Sequence, residues 1–159
     1  MTEDDFHPIS RPENLDRWPL PPEPLDWYEA VVDDVGVSQL IPHVNNAEYV
    51  RWIGTIAVLA GIRAGSTRER LEQDNLLWFV ARHEIDYRGE TFPGDRIVAA
   101  TWLSDPDRIS VIRHTVIGRP DDERLLITAR TRWVLVDGVT RRPTRIPIDL
   151  LENIGGPTT

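Results

Sequence analysis

One long apolar helix, opened by a pair of asparagines, constrains this 159-residue chain more than any other feature of its sequence. Apolar residues recur at helical spacing along it: Val50, Ile53, Val58 and Leu59. Gly65 is well placed to end the run, because glycine readily adopts the backbone conformation that terminates helices. We therefore predict a buried helix from about Asn46 to Ala64.

After this helix the hydrophobic pattern changes to a period of two, which predicts β-strands. We expect strands at 80–87, 96–104, 109–118 and 125–136, after a short strand at 27–32 and a second, short helix at about 67–73. Residues 33–42 are a loop or a bent edge strand. In the last strand apolar residues alternate with polar ones, as in an antiparallel sheet buried on one side. The fold class is therefore α+β, with the sheet wrapped on the helix.

The first 25 residues differ from the rest, because six of them are prolines. Proline fixes φ and removes a hydrogen-bond donor, so we predict an irregular arm over residues 1–25 and a single domain over 26–159. Trp18 and Leu20 are expected to tie part of the arm to the domain. Residues 1 to about 15 should bury little apolar area and be dispensable for folding.

The composition excludes several classes of function. A net charge of −8 argues against nucleic-acid binding, and no apolar run is long enough to span a membrane. All 18 basic residues are arginine, which excludes lysine nucleophiles and Schiff bases. The chain has no cysteine, no histidine pair with metal-ligand spacing and no phosphate-binding glycine loop, so neither a metal nor a cofactor is expected. The acidic start, Met-Thr-Glu-Asp-Asp, is unlike a signal peptide, and we expect a cytoplasmic protein.

The segment His43-Val44-Asn45-Asn46, followed by Tyr49 and Trp52, resembles the signature that opens the central helix of hotdog-fold thioesterases. The resemblance continues in the same order through Ile85-Asp86-Tyr87, Phe92-Pro93-Gly94-Asp95, Thr101-Trp102 and Trp133-Val134-Leu135-Val136-Asp137 to Arg142-Pro143 and Ile146-Pro147. Together these segments cover about residues 26–152. The resemblance implies a hotdog fold, an acyl-CoA or acyl-carrier-protein substrate, and a homo-oligomer, either a dimer or a tetramer.

Two positions depart from the pattern of that family. The carboxylate that commonly stands four residues before the histidine is replaced by Gln39, and the glutamate that some members carry on the central helix is replaced by Thr55. A neutral amide can orient a water molecule but cannot take its proton. The enediyne polyketide thioesterases also have an amide upstream and a Tyr-x-Arg-Trp-x-Gly segment, like Tyr49 to Gly54 here, but they rely on an arginine at the position of Thr55.

These residues suggest a mechanism for thioester hydrolysis. The carbonyl would be polarised by N–H groups at the helix start, near Asn45, Asn46 and Ala47, where the helix carries partial positive charge. Gln39 and His43 would hold the water, and His43 would take its proton. The remaining predicted contacts with the substrate are Tyr49, Trp52 and Thr55.

Each of these roles has an alternative. His43 would otherwise shape the loop, Asn45 and Asn46 would only cap the helix, and Tyr49 and Trp52 would only fill the core. Asp33 or Asp34 would be the base if His43 is not. For the whole protein, the main alternative is a non-catalytic domain that binds acyl thioesters; a hotdog hydratase or dehydratase ranks lower, because its Asp/His motif is not found.

Overall fold

The predicted strands and helices occur in the predicted order, and a two-residue strand in the amino-terminal arm and a last helix are additional. A computed structural model describes residues 1–154. Its strands and α-helices are β1 (His7–Pro8), β2 (Asp26–Val31), α1 (Asn46–Arg63), α2 (Arg68–Gln73), β3 (Leu76–Tyr87), β4 (Arg96–Ser104), β5 (Ser110–Arg119), β6 (Arg124–Asp137) and α3 (Ile148–Ile154). Short 3-10 helices span Glu3–Asp5 and Pro120–Asp122.

The strands form one antiparallel sheet in the order β1-β2-β4-β5-β6-β3. Strand β3 is therefore an edge: it pairs with β6 along its length and presents its other side to solvent. It begins at Leu76, four residues before the predicted start, because its first residues pair with Leu135 to Asp137 at the end of β6. The α+β class is confirmed.

Helix α1 lies on one face of the sheet. Its buried residues recur every three or four positions: Tyr49, Trp52, Ile53, Ile56 and Ala60. They pack against alternate residues of the strands, including Tyr28, Ile97, Ala99 and Ile127. The helical period of α1 and the period of two in the strands together predict this contact between helix and sheet. In this arrangement the start of α1 lies close to the end of β3 that carries Tyr87.

Several separate residues of the amino-terminal arm pack on the domain. Phe6 is 3% exposed in the core beside α1, and strand β1 pairs with β2. Leu15 and Trp18 cover the outer face of the sheet, over Val98 and Val116. Trp18 and Leu20 do contact the domain, but the expectation that the first fifteen residues bury little apolar area is wrong. The reason is that isolated apolar residues between prolines fill gaps without any periodic pattern.

Helix α3 was not expected from the sequence. Leu150 packs with Leu76, Leu135 and Ile146 to form a small separate core. Residues 155–159, the end of the predicted 26–159 domain, lie outside the described residues. Over the part of the chain that is described, no helix is both long and apolar enough to cross a membrane.

Candidate functional site

A compact loop delivers the chain to the start of α1. The Ser38 amide donates to the His43 carbonyl at 2.9 Å, which closes a tight turn over residues 38–43. Gln39 and Leu40 lie at its exposed tip, Leu40 being 94% exposed. Behind the turn, Val44 is buried and its amide donates to the Thr91 carbonyl at 3.0 Å. The base of the loop is therefore fixed while its tip lies in solvent.

The hydrogen bonds at the helix start narrow the predicted oxygen-binding site to one amide. Asn45 is the N-cap: its side-chain oxygen accepts from the Ala47 amide at 2.9 Å. The Asn45 amide itself donates to the Gly36 carbonyl at 2.9 Å. Within residues 1–154 the Asn46 amide is left with no hydrogen-bond partner, and Asn46 is exposed. Of the three amides predicted to polarise a carbonyl, this one is free to do so.

His43 lies three residues before this amide, in the same loop, and is partly exposed. Its Nδ1 is buried, and it has no hydrogen-bond partner among the residues described. No hydrogen bond therefore fixes which ring nitrogen carries the proton. Gln39 makes no hydrogen bond to His43 in the described part of the chain, although both belong to the same turn. The joint role of these two side chains stays a prediction.

Aromatic residues surround the first turn of α1. Tyr49 packs on Trp52 with ring centroids 4.9 Å apart and meets Tyr87 edge-on at 5.7 Å. The Tyr87 hydroxyl donates to the Asn46 carbonyl at 3.3 Å. Burial raises the pKa of Tyr49 to about 12, so its phenol is neutral at ordinary pH. Tyr49 and Trp52 are core residues at 2% and 1% exposure, and their predicted contact with substrate stays a prediction.

Glu48 is a residue of this region that the sequence interpretation missed. It lies in the first turn of α1, is 5% exposed, and has its carboxylate 3.6 Å from the Arg51 guanidinium. Its side chain fills the space beside Gly36, where an added Cβ would lie 2.2 Å from the Glu48 Cγ. Glu48 therefore supports the loop from below. Its place in the first turn is the signal that would have found it, since acidic residues favour helix N-termini.

A second network holds the loop from the side of the sheet. The Asp95 carboxylate accepts from the Phe92 amide at 3.0 Å, the Thr91 hydroxyl at 2.8 Å and the Arg119 guanidinium at 2.7 Å. Burial alone would raise the pKa of Asp95, but these three donors outweigh it and hold the pKa below its ordinary value. Since the Thr91 carbonyl accepts from Val44, the network reaches the His43 loop.

The remaining predicted residues lie around this region without joining it. Thr55 is half-buried on α1, two turns beyond the helix start. Asp33 is held by the amino group of Met1 at 3.1 Å and by the Val35 amide, and Asp34 is exposed. Throughout residues 1–154, no group of three or more histidine, aspartate or glutamate side chains is placed to hold a metal ion.

A cavity of about 660 Å³ lies at the other end of α1. Its walls come from the second half of the helix, the start of β3 and the strands β4, β5 and β6. They include Ala57, Gly61, Trp78, Arg113 and Trp133. Not one of the eight predicted site residues lines it. At 1.5 Å per residue, Ala57 lies about 16 Å along the helix from Asn46. The predicted reaction site and this cavity are thus separate places on one helix.

Comparison with known families gives a match over most of the chain. Residues 32–154 match the sequence model of the Thioesterase-like superfamily. The matched region begins before the His43 loop and extends into α3, so it contains every predicted site residue.

Two chloroplast enzymes show the sequence likeness to individual proteins. An acyl-[acyl-carrier-protein] hydrolase of Cuphea viscosissima is 29% identical over 90 residues, which are 57% of this chain and 22% of that protein. A palmitoyl-acyl carrier protein thioesterase of Arabidopsis thaliana is 30% identical over 91 residues, again 57% and 22%. The aligned region therefore spans less than a quarter of the length of either relative.

Solved structures show the same fold at low sequence identity. A Staphylococcus aureus protein in complex with CoA has a TM-score of 0.78 at 17% identity, over 83% of this chain and 82% of that one. A 1,4-dihydroxy-2-naphthoyl-CoA thioesterase from Synechocystis has 0.74 at 14%, over 82% and 95%. The 12:0-ACP thioesterase of Umbellularia californica has 0.71 at 15%, over 82% and 49%. These likenesses confirm the hotdog fold.

Proposed function

Because the chain belongs to the thioesterase-like superfamily, we propose that it hydrolyses an acyl thioester of CoA or of acyl carrier protein. The observation that carries the proposal is the unpartnered, exposed amide of Asn46, three residues after a partly exposed His43, within the described part of the chain. The amide supplies a donor at the positive end of a helix, where an oxygen that gains negative charge is stabilised.

The reaction proceeds by addition of water to the thioester carbonyl. The water oxygen forms a bond to the carbonyl carbon, His43 takes the water proton, and the carbonyl oxygen becomes an oxyanion that accepts from the Asn46 amide. The carbon–sulfur bond then breaks, and the departing thiolate takes the proton back from His43. A positioned base contributes about 10²–10⁴ in rate, and one oxyanion donor about 10²–10³.

Gln39 has the role of orienting the water in this proposal. Its amide accepts and donates hydrogen bonds, but it cannot act as the base. Because Gln39 lies at the exposed tip of the turn, its amide is accessible to a water molecule or a substrate from solvent. Ala47, Tyr49, Trp52 and Thr55 form the wall along which the first carbons of the acyl group lie.

We propose further that the active form is a homodimer joined through β3. This edge strand is twelve residues long, and Leu77, Phe79, Val80 and Tyr87 are 39–49% exposed on it. Long apolar edges invite pairing with another strand, so a second copy is the occupant that this edge fits best. Val58 and Ile62 of α1, both about 40% exposed, would be covered in the same contact. Assembly into a tetramer and a cytoplasmic location are the further expectations of the proposal.

One variant tests the role of the Asn46 amide directly. Proline is tolerated at the first position of a helix, and it requires an extended residue before it. Asn45 already has φ −76° and ψ 161°, so Asn46→Pro removes the amide hydrogen without disturbing the backbone. We expect thiol release from acyl-CoA to fall about 10²-fold or more, while Asn46→Ala, which keeps the amide, falls less than tenfold. Equal activities in these two variants would contradict the oxyanion role.

Two further variants identify the base. His43→Ala should reduce turnover tenfold or more while acyl-CoA still binds, and Gln39→Asp should preserve or raise turnover because it restores a carboxylate. Full activity of His43→Ala would exclude His43 and favour Asp33 or Asp34.

A non-catalytic acyl-thioester binding domain is the second candidate function. The observation in its favour is that no carboxylate among residues 1–154 is hydrogen-bonded to His43, and Gln39 occupies the position of the usual one. Such a domain would bind acyl-CoA in calorimetry, lose affinity in Asn46→Pro, and release no thiol over a panel of acyl chain lengths.

A further inference from the structure

The cavity at the far end of α1 contains a buried cation. Arg113 projects from β5 into its wall and is only 5% exposed. Within the described residues, its guanidinium makes one hydrogen bond, to the Thr101 hydroxyl at 3.1 Å, and lies within ion-pair distance of no carboxylate. The carboxylate of Asp26 acts on the charge of Arg113 only from a distance, because it forms an ion pair with the Arg63 guanidinium at 3.1 Å. A guanidinium has five N–H donors, so most of those on Arg113 are unused.

A buried charge without a partner is costly to a fold. Burial lowers the pKa of Arg113 to about 10, which still leaves the group charged at neutral pH. An ion that is buried without a partner keeps its desolvation penalty, because no attraction to an opposite charge offsets it. The cost of keeping Arg113 therefore points to a ligand that enters the cavity and supplies acceptors.

The rest of the wall indicates the shape of that ligand. Leu76, Leu103, Val111 and Leu150 give the cavity a largely apolar lining. The indole Nε1 of Trp133 is a second buried donor with no hydrogen-bond partner among the residues described. An apolar chain that ends in a planar group with two acceptor oxygens would satisfy all of these surfaces, because a carboxylate matches the guanidinium fork.

We propose that this cavity binds an apolar chain bearing a carboxylate, and that Arg113 is the residue that selects it. Two sources would supply this chemistry. One is a free fatty acid. The other is an acyl thioester whose chain carries a second carboxylate at its far end, and this source rests on the function proposed above.

The proposed dimer gives the second source a route. Tyr87, at one end of β3, lies against the start of α1, and Trp78, near the other end, lines the cavity. Antiparallel pairing of two β3 strands about their middle brings Tyr87 of one copy opposite Leu76 of the next, and Leu76 lines the cavity as Trp78 does. The far end of an acyl group held at one helix start would then meet the cavity of the partner subunit.

Calorimetry with decanoate and 1-decanol tests the binding site without measuring turnover. We expect decanoate to bind the wild-type protein at one molecule per chain and at least tenfold more tightly than 1-decanol. Arg113→Met should weaken decanoate at least tenfold and leave 1-decanol within about threefold. Arg130→Met removes a half-exposed arginine of β6 and is the control, in which both affinities should be unchanged. Equal binding of acid and alcohol by the wild type, or a preference that survives Arg113→Met, would overturn the proposal.

Filling the cavity provides a test that leaves Arg113 in place. A Cβ added at Gly61 meets nothing closer than 3.9 Å and Gly61 lines the cavity, so we expect the side chain of Gly61→Leu to occupy part of the cavity. Gly54→Leu adds the same side chain to α1 where a Cβ meets nothing within 4 Å and no cavity wall is present. Decanoate affinity should fall at least tenfold in Gly61→Leu and stay unchanged in Gly54→Leu. An unchanged affinity in Gly61→Leu would place decanoate outside the cavity.

Hydrolysis then separates the two sources. A rate with the CoA monothioester of decanedioic acid that exceeds the rate with decanoyl-CoA, and a preference that is lost in Arg113→Met, would assign the carboxylate to the acyl chain. No such preference, together with tight decanoate binding, would assign it to a free fatty acid. If neither thioester is cleaved, the proposed hydrolysis fails while the calorimetric result for the cavity stands.

Discussion

The Arg119 guanidinium donates to the Asp95 carboxylate at 2.7 Å, across a turn that also carries Thr91. Through the Thr91 carbonyl and the Val44 amide, this contact is coupled to the loop that positions His43. Asp95 is a quarter exposed and accepts three hydrogen bonds, so it stabilises the turn more than a surface ion pair would. The turn between β3 and β4 therefore supports the candidate site from a distance.

The first prediction concerns Asp95 and pH. Because the pKa of Asp95 is lower in the folded than in the unfolded protein, its contribution to stability is present above the unfolded value of about 4 and is lost as pH falls through the folded value. Asp95→Asn should reduce the free energy of unfolding by about 1–3 kcal/mol at pH 7, and the loss should shrink as pH falls below about 4. Urea denaturation at several pH values measures this. Asp121→Asn, at an exposed aspartate 3.6 Å from Arg96, is the control and should change stability by less than about 1 kcal/mol.

The second prediction concerns the support of the loop by Glu48. Gly36 has φ +73°, and a Cβ there would lie 2.2 Å from the Glu48 Cγ. Gly94 has φ +89° with nothing within 4 Å of an added Cβ, so Gly94→Ala measures the backbone cost alone. The backbone cost should lower the free energy of unfolding by about 1 kcal/mol or more. Gly36→Ala should lower it by a further amount of similar size, measured by thermal or urea unfolding.

The double variant Gly36→Ala, Glu48→Ala isolates the steric contact. If the Glu48 side chain causes the excess, Gly36→Ala should be less destabilising in the Glu48→Ala background than in the wild type. An equal cost in both backgrounds would show that the contact with Glu48 is not responsible.

The long periodic elements of this fold were predictable from the sequence, and its isolated contacts were not. The predicted range of α1 ends only one residue beyond the observed end. The helix was predictable because its apolar residues repeat over five turns. Phe6 and Leu15 are each a single apolar residue between polar residues or prolines, and no period marks them as buried. Similarly, α3 is a short helix without a long hydrophobic period. Its burial depends on contacts with Leu76 and Leu135, which lie far away in the sequence.

The candidate site shows the same limit. The asparagines at the helix start marked its position, since their spacing before an apolar helix is a local signal. The sequence does not show which amide is free. The Asn45 side chain satisfies the Ala47 amide locally, but the Asn45 amide is satisfied by the Gly36 carbonyl, nine residues away. Arg113 was equally hidden: an arginine within a strand resembles a solvated residue until its own face of the sheet is seen to lie under α1.

The third prediction concerns Trp18, which the sequence predicted to tie the arm to the domain and which packs on the outer face of the sheet. Trp18 is 5% exposed, and its ring lies where a Cβ of Gly118 would be, at 2.2 Å. Trp18→Ala should therefore reduce the free energy of unfolding by about 3–5 kcal/mol in urea denaturation. Leu40→Ala, at a residue 94% exposed, should change stability by less than about 0.5 kcal/mol. A Trp18→Ala protein as stable as the wild type would show that the arm does not hold the outer face of the sheet.

The fourth prediction tests the proposed dimer with two matched substitutions. Val80 is 39% exposed on the free edge strand β3, and Val31 is 63% exposed on β2 at the other side of the sheet. Val80→Arg places a charge, and in the dimer its symmetry mate, in a contact that would exclude water, whereas Val31→Arg leaves its charge in solvent.

Size-exclusion chromatography with light scattering should give twice the mass of one chain for the wild type and for Val31→Arg at micromolar concentration. Val80→Arg should shift towards the mass of a single chain, with the dimer dissociation constant raised at least tenfold. Circular dichroism of Val80→Arg must show an intact fold for that shift to count. A wild-type monomer would exclude the dimer. A Val80→Arg protein that dimerises as tightly as the wild type would show that the interface is not at β3. That result would also exclude the proposed route by which the substrate of one subunit reaches the cavity of its partner.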